Sequence, residues 1–322
     1  MDSSGPSENA PNPGDIPAIR RLYSDAILIA GHLWDSAQRE GRPDPHLATN
    51  LVDELADEVI RSRTTLVALT QHKAHDEHMS THMVNVAILT MAQADALGIT
   101  GRLLREFGVA ALMHDIGKVR TPVEILNKPD KLTDAEFAIM RMHVVDGAEI
   151  LRGIPEMPAL APTVAFEHHL RLDGSGYPIG VTRKALNLGT MLCSIADVHD
   201  AMRSHRAYQE SFPTDRIIAV LKRNDGLQFD QRLVERFTQL MGIYSPGNLV
   251  KLDTGELGVV VRVNPEDPYR PKVRVIVGPD GQKLPHSYDV NLSDSREQDD
   301  KPHTVVCPID PTPLGIDPLT YL

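Results

Sequence analysis

From residue 16 to about residue 240 the apolar side chains recur at helical spacing; beyond Tyr244-Ser-Pro-Gly the period drops to two. A stripe of period 3.6 asks for helix packed on helix, and strict alternation asks for a half-buried strand. This change of period fixes the fold class expected here, a mainly α protein that carries a small C-terminal β domain.

Local signals divide the chain further. Residues 1–15 are rich in Ser, Pro, Asn and Gly and read as disordered. Ile19, Leu22, Ile27, Ala30 and Leu33 mark a first helix; a break at Gly41-Arg-Pro-Asp-Pro precedes a second. Residues 16–70 therefore read as an N-terminal helical region, and 71–242 as a helical domain with short polar loops. Within it Thr133 and Glu136 have the spacing of a capping box. Phe137, Met140, Val144, Ala148 and Leu151 follow at the spacing of one helical face. Residues 243–292 read as a β domain of three to five strands, with turns at Asp253-Thr-Gly and Pro279-Asp-Gly. Residues 293–322, polar and Pro-rich, read as a tail.

Composition removes several classes of function. The chain has 322 residues, 41% hydrophobic and 24% charged, which suffices for a core without disulfide staples. No run of about 18 apolar residues is present, so no membrane span is expected. The first residues lack the basic and apolar regions of a secretory signal. Two cysteines, Cys193 and Cys307, give no disulfide framework and suit a cytoplasmic protein. A net charge of −11 argues against a DNA or RNA polymer as partner. An anionic ligand then needs local cations or metal ions.

The chain has 14 histidines. His82, His114-Asp115, His143, His168-His169 and Asp197 each fall on or beside a different helix of the same domain. Imidazole and carboxylate together suit iron, manganese, zinc or nickel. Facing helices of a bundle supply the ligands of paired metals in this way.

Five strings occur in the order of a known family. HDIGK at 114–118 resembles the signature of HD-domain phosphohydrolases, and HHLRLDGSGYP at 168–178 is similar to the HH-E-R-x-D-G-x-G-Y-P signature of their HD-GYP subfamily. HMVNVA at 82–87, HVVDG at 143–147 and IADVHDAMRSHRAY at 195–208 resemble that subfamily's remaining motifs. The resemblance implies a helical bundle with a dinuclear or trinuclear centre of divalent ions, most often iron or manganese. It implies hydrolysis of cyclic di-GMP to pGpG or GMP. Carried over, His82, His114, Asp115 and Asp197 hold one metal, and Asp115 bridges to a second held by His143, His168 and His169. Lys118 is expected to contact phosphate or protonate the leaving oxygen, and Arg206 to pair with the other phosphate. Tyr177 is expected to face ligand or partner, Asp173 to brace its loop, and Gly147 to permit close helix packing.

The match has departures. Leu170 stands where the family carries Glu, and Gln209 where it often carries Lys or Arg. A neutral Gln209 suits adenine as well as guanine, so 3',3'-cyclic GMP-AMP is an alternative substrate. A weakly catalytic binding protein, acting on a homodimer mate or protein partner through the GYP loop or the β domain, is the other alternative. His78, one turn before His82, is placed to serve a third metal. Asp200, one turn after Asp197, is expected to brace the ligands rather than bind metal itself, and Cys193 to be a buried core residue.

Overall fold

The computed structural model describes residues 16–71, 79–181, 185–203, 212–223, 227–294 and 303–322. His78, Arg206 and Gln209 lie outside them. Eleven helices are described: α1 Ile16–Glu40, α2 Pro45–Gln71, α3 Met79–Ala96, α4 Gly101–Leu112, α5 Val123–Leu126, α6 Asp134–Met140, α7 His143–Arg152, α8 Leu160–Glu167, α9 Leu188–Arg203, α10 Thr214–Arg223 and α11 Gln231–Met241. A 3-10 turn, Ile116–Arg120, follows α4. Five strands come last: β1 Leu249–Leu252, β2 Leu257–Arg262, β3 Lys272–Val277, β4 Lys283–Asn291 and β5 Val305–Ile309. No helix among the described residues is long and apolar enough to cross a membrane.

Contacts gather the chain into two units. One comprises 22–57 and the described part of 73–237; the other comprises 16–21, 58–71 and the described part of 238–322. The first helix and the second each contribute to both, and α2 leaves helical geometry at Ser62 (φ −141°, ψ 42°).

The helical unit is organised around α3. Residues 83–94 are buried without interruption, so this stretch of the helix has no solvent face. It packs on α4 and α9, while α4 packs on α8, and α8 on α7. Each fully buried Leu or Met there contributes about 1.5–3 kcal/mol over an exposed one. The Gln93 amide NH2 donates to the carbonyls of Leu89 and Leu192, joining α3 to α9.

One close contact between elements needs glycine. A Cβ on Gly117, in the 3-10 turn, would lie 1.9 Å from the carbonyl oxygen of His143 and 2.4 Å from the nitrogen of Gly147. The turn and α7 therefore meet backbone to backbone, and Gly147 permits that approach. The capping box forms as expected: the Thr133 hydroxyl accepts from the Glu136 N–H, and the Glu136 carboxylate accepts from the Thr133 N–H. The apolar face from Phe137 to Leu151 does not run along one helix. It is split after Met140, and α7 starts afresh at His143, with Val144, Ala148 and Leu151 buried and Phe137 open to solvent.

In the second unit the strands form an antiparallel sheet ordered β4-β3-β2-β1-β5. The two expected turns join β1 to β2 and β3 to β4. Val250, Leu252, Val260, Val273, Val275 and Leu292 form one apolar cluster. Leu249, Val259, Ile276 and Val277 form another, against which Ile316, Tyr321 and Leu322 pack. Residues 293–322, read as a tail, thus supply both an edge strand and part of the core. Pro308 in β5 lacks the donor that a central strand needs, and an edge tolerates it.

Candidate metal centre

The seven side chains expected to hold metal are delivered by five elements. His82 projects from α3, and His114 and Asp115 follow the end of α4. His143 opens α7, His168 caps α8 with His169 next, and Asp197 lies on α9. All seven come together within one buried cluster. Its ligand atoms fall into three overlapping groups: Asp115 with His143, His168 and His169; Asp115 with His82 and His114; and His114 with His168 and Asp197. Within each group the atoms lie within 4.8 Å of one another.

Asp115 sits between the two sides and divides its oxygens. Oδ2 lies 3.4 Å from His114 Nε2 and 3.6 Å from His82 Nε2, and it pairs with Lys118 Nζ. Oδ1 lies 3.3 Å from His143 Nε2 and 3.6 Å from His168 Nε2. Asp197 Oδ1 approaches His82 Nε2 at 3.3 Å and His114 Nε2 at 3.8 Å.

The outer nitrogens set the tautomers. His114 Nδ1 is 2.7 Å from the carbonyl of Ala111, and His143 Nδ1 is 2.7 Å from that of Met140. His168 Nδ1 faces the carbonyls of Val164 and Ala165 at 3.1 and 3.0 Å. His82 Nδ1 is 2.7 Å from Asp200 Oδ2. A carbonyl or carboxylate oxygen only accepts, so each Nδ1 carries a proton and each Nε2 turns inward as the atom left to bind a cation. His114 Nε2 and Asp115 Oδ1 are buried and make no hydrogen bond. Buried acceptors converging without donors are costly in a protein core. A divalent cation satisfies them, and the nitrogen and oxygen donors fit one.

The electrostatics differ across the cluster. Burial works against a charge on His82, but its bonds to Asp115, Asp197 and Asp200 outweigh that and hold its pKa well above the ordinary value. Burial likewise opposes charge on His114, and Asp115 and Asp197 overcome it, raising the pKa to about 9. Asp115 and Asp197 both fall well below the usual carboxylate range: burial resists, and the neighbouring cations prevail. On the other side burial dominates. It pulls His143 down to about 3 and His169 well below the ordinary value.

The GYP loop closes over this second side. Asp173 braces it by accepting from the Ser175 N–H and hydroxyl at 2.9 and 2.6 Å. Leu170, buried, pairs with Gly176 across the base of the loop. Gly176 has φ +93°, and a Cβ there would lie 2.3 Å from the His169 carbonyl oxygen. Tyr177 is thereby laid on the His169 ring, centroids 4.5 Å apart and 35° between planes. Beside it a cavity of about 340 Å³ is lined by Phe137, Arg141, His168, His169, Tyr177 and Phe229, among others.

Three residues at the site carry no motif that pointed to them as partners. Asn85 donates to Asp200 at 2.9 Å, and Tyr23 donates to Asn85 at 2.7 Å. Ser194 donates to the His168 carbonyl at 2.6 Å, fixing the turn that bears both adjacent histidines. The i, i+3 spacing of His82 with Asn85 was the one available signal, since it puts both on one face of α3. Asp200 braces His82 directly, and Cys193 is fully buried.

Comparison with known proteins agrees with this geometry. Residues 65–233 match the HD domain family model, and residues 249–298 match the KOW domain associated with HD domain. A cyclic di-GMP phosphodiesterase of Pseudomonas aeruginosa is 38% identical over 258 residues, 80% of this chain and 59% of that protein. A cyclic di-GMP phosphodiesterase response regulator of Xanthomonas campestris pv. campestris is 34% identical over 177 residues, 54% of this chain and 47% of that protein. The chain thus spans about half the length of the curated relatives it matches. Among solved structures, an HDGYP protein from Bdellovibrio bacteriovorus superposes with a TM-score of 0.58 at 17% identity, over 74% of each chain. That likeness concerns the fold.

Proposed function

The chain belongs to the HD-domain family, and from that premise we propose that it is a metal-dependent phosphodiesterase that hydrolyses cyclic di-GMP to pGpG or GMP. The observation that carries this reading is the inward convergence of Nε2 atoms and carboxylates around Asp115. His82, His114, Asp115 and Asp197 would hold one divalent ion, and Asp115, His143, His168 and His169 a second. Iron or manganese suits this donor set. Bound there, the ions would supply Lewis-acid charge to a phosphodiester and to the attacking water.

The chain's own groups do the rest. Asp115 presents one oxygen to each side and so holds both in register. Lys118 is pinned to Asp115 and half-buried, which keeps an ammonium beside the centre for a phosphate oxygen or the departing alkoxide. Tyr177, Phe137 and Phe229 line the cavity with aromatic surface on which a purine can stack. Arg206 and Gln209 remain assigned from the sequence, to the second phosphate and the base. Both cysteines are free, which supports a cytoplasmic location.

The test is hydrolysis of cyclic di-GMP and cyclic GMP-AMP side by side, with anaerobically purified protein loaded with Fe(II) or Mn(II) and metal content measured on the same sample. Turnover of cyclic di-GMP is expected. Faster turnover of the hybrid would move the substrate assignment to it through Gln209. Full metal occupancy without turnover of either would overturn the enzyme reading in favour of a metal-stabilised binding protein.

A further inference from the structure

We propose that Tyr23, on α1 and outside the residues matched by the HD-domain model, is a positioning residue for His82, acting through Asn85 and Asp200. The proposal rests on the reading that His82 holds a metal ion. The Tyr23 hydroxyl is 2.7 Å from Asn85 Oδ1, and Asn85 Nδ2 is 2.9 Å from Asp200 Oδ1. The other oxygen of Asp200 is 2.7 Å from His82 Nδ1. From there the ring reaches Asp197 and Asp115 with Nε2.

Every link has one allowed polarity. A carboxylate offers only acceptors, and the two oxygens of Asp200 face the Asn85 amide and His82 Nδ1. Asn85 must therefore turn its NH2 to Asp200 and its oxygen to Tyr23. That oxygen accepts, so the phenol must donate. His82 must in turn donate Nδ1–H to Asp200, which turns Nε2 to the centre as the atom that would bind the ion. Reversing any link sets acceptor against acceptor in a buried place: Asn85 and Asp200 are 6% and 3% exposed. Burial and the charge of Asp200 both push the Tyr23 pKa up, so the phenol stays a donor.

The framework is rigid for a geometric reason. His82 and Asn85 are three residues apart on α3, as are Asp197 and Asp200 on α9, and the two helices pack together. Two rungs therefore face two rungs, and Tyr23 closes the end of the ladder. The first helix thereby sets the tautomer and angle of an imidazole at the centre.

The test is metal retention against rising chelator in the metal-loaded full chain, counting ions per protein at each step. Removing a carboxylate behind a metal-bound imidazole costs roughly 10–100-fold in metal affinity. Asp200→Asn is expected to lie near the lower end, and Tyr23→Phe to shift the first loss step by about 3-fold, one hydrogen bond removed. The second loss step, on the His143 side, is expected to stay in place. Tyr23→Phe in the Asp200→Asn background is expected to add nothing, because Tyr23 acts only through Asp200. An unchanged first step in Tyr23→Phe, a shift of both steps together, or full additivity in the double variant would each overturn the proposal. A parent protein that retains no metal would overturn the metal reading itself, a different and separately visible result.

Discussion

On one side of Asp115 lie His82, His114 and Asp197; on the other lie His143, His168 and His169. The residue types are nearly the same, and their charge states are not. The first side pairs two imidazoles with two aspartates, which raises His82 well above its ordinary pKa and His114 to about 9. On the second side Asp115 and Asp197 also act, but burial prevails and drives His143 to about 3 and His169 down with it. A metal entering the first side is expected to displace protons, whereas His143 and His169 on the second are shifted towards the neutral form. The contrast teaches that one cluster can hold imidazoles shifted in opposite directions, through the closer approach of Asp197 and Asp200 to one flank.

The sharpest way to break this comparison is to remove what the two sides share. In His114→Ala/Asp115→Ala both ions should be lost, with metal content near zero and activity down by more than roughly 100-fold. Retention of either ion after gel filtration, read by elemental analysis, would mean the two sides do not meet at Asp115.

Proton counting tests the contrast directly. The upward shifts of His82 and His114 favour a second proton on each in metal-stripped protein, whereas His143 and His169 are shifted down. Loading with Mn(II) should therefore release about two protons per chain, measured by calorimetry in buffers of different ionisation heat. The sign for stability follows from the same shifts. His114, raised to about 9, contributes fully to the stripped protein below about pH 6.5 and loses that contribution as pH rises through 9. His143, lowered to about 3, stabilises above about pH 6.5, and its contribution falls away as pH drops towards 3. Their joint contribution peaks near pH 6.5, while metal affinity keeps rising to about pH 9. Denaturant midpoints that track metal affinity across this range would contradict the assignment.

The seven clustered residues were legible because each motif pairs a ligand type with a fixed local geometry. HDIGK, for example, holds both the shared aspartate and the glycine that meets α7. What lies behind the ligands was not legible. Tyr23 sits in an ordinary amphipathic helix, and its bond to Asn85 spans 62 residues, beyond the reach of any local period. The split between α6 and α7 was hidden because apolar spacing continues across Arg141 and Met142. The strand at Val305–Ile309 was hidden because it is short, contains Pro308, and takes its meaning only from pairing with β1.

Gly117→Ala should separate the two sides by mechanics rather than charge. The added methyl meets the His143 carbonyl at 1.9 Å, so the start of α7 has to move. A cost of about 1–3 kcal/mol is expected, with earlier metal loss from the His143 side. Gly147→Ala, whose Cβ finds its nearest neighbour at 3.2 Å, should be milder in both readouts. Equal effects would mean that the backbone contact does not hold His143 in place.

The smallest effect expected is at Thr133, which caps α6 three residues before Glu136. Thr133→Ala removes the acceptor for the Glu136 N–H, and a lost N-cap costs about 1 kcal/mol. Because α6 leads through Arg141 and Met142 into His143, the loosened turn bears on the second side alone. Chelator titration should therefore show the His143-side ion released slightly earlier and the His82-side ion unmoved. That outcome would place the mechanical input to the neutral side in α6, distinct from the Tyr23 chain behind the charged one. If both ions shifted together at unchanged stability, the two sides would have to be read as one cooperative unit.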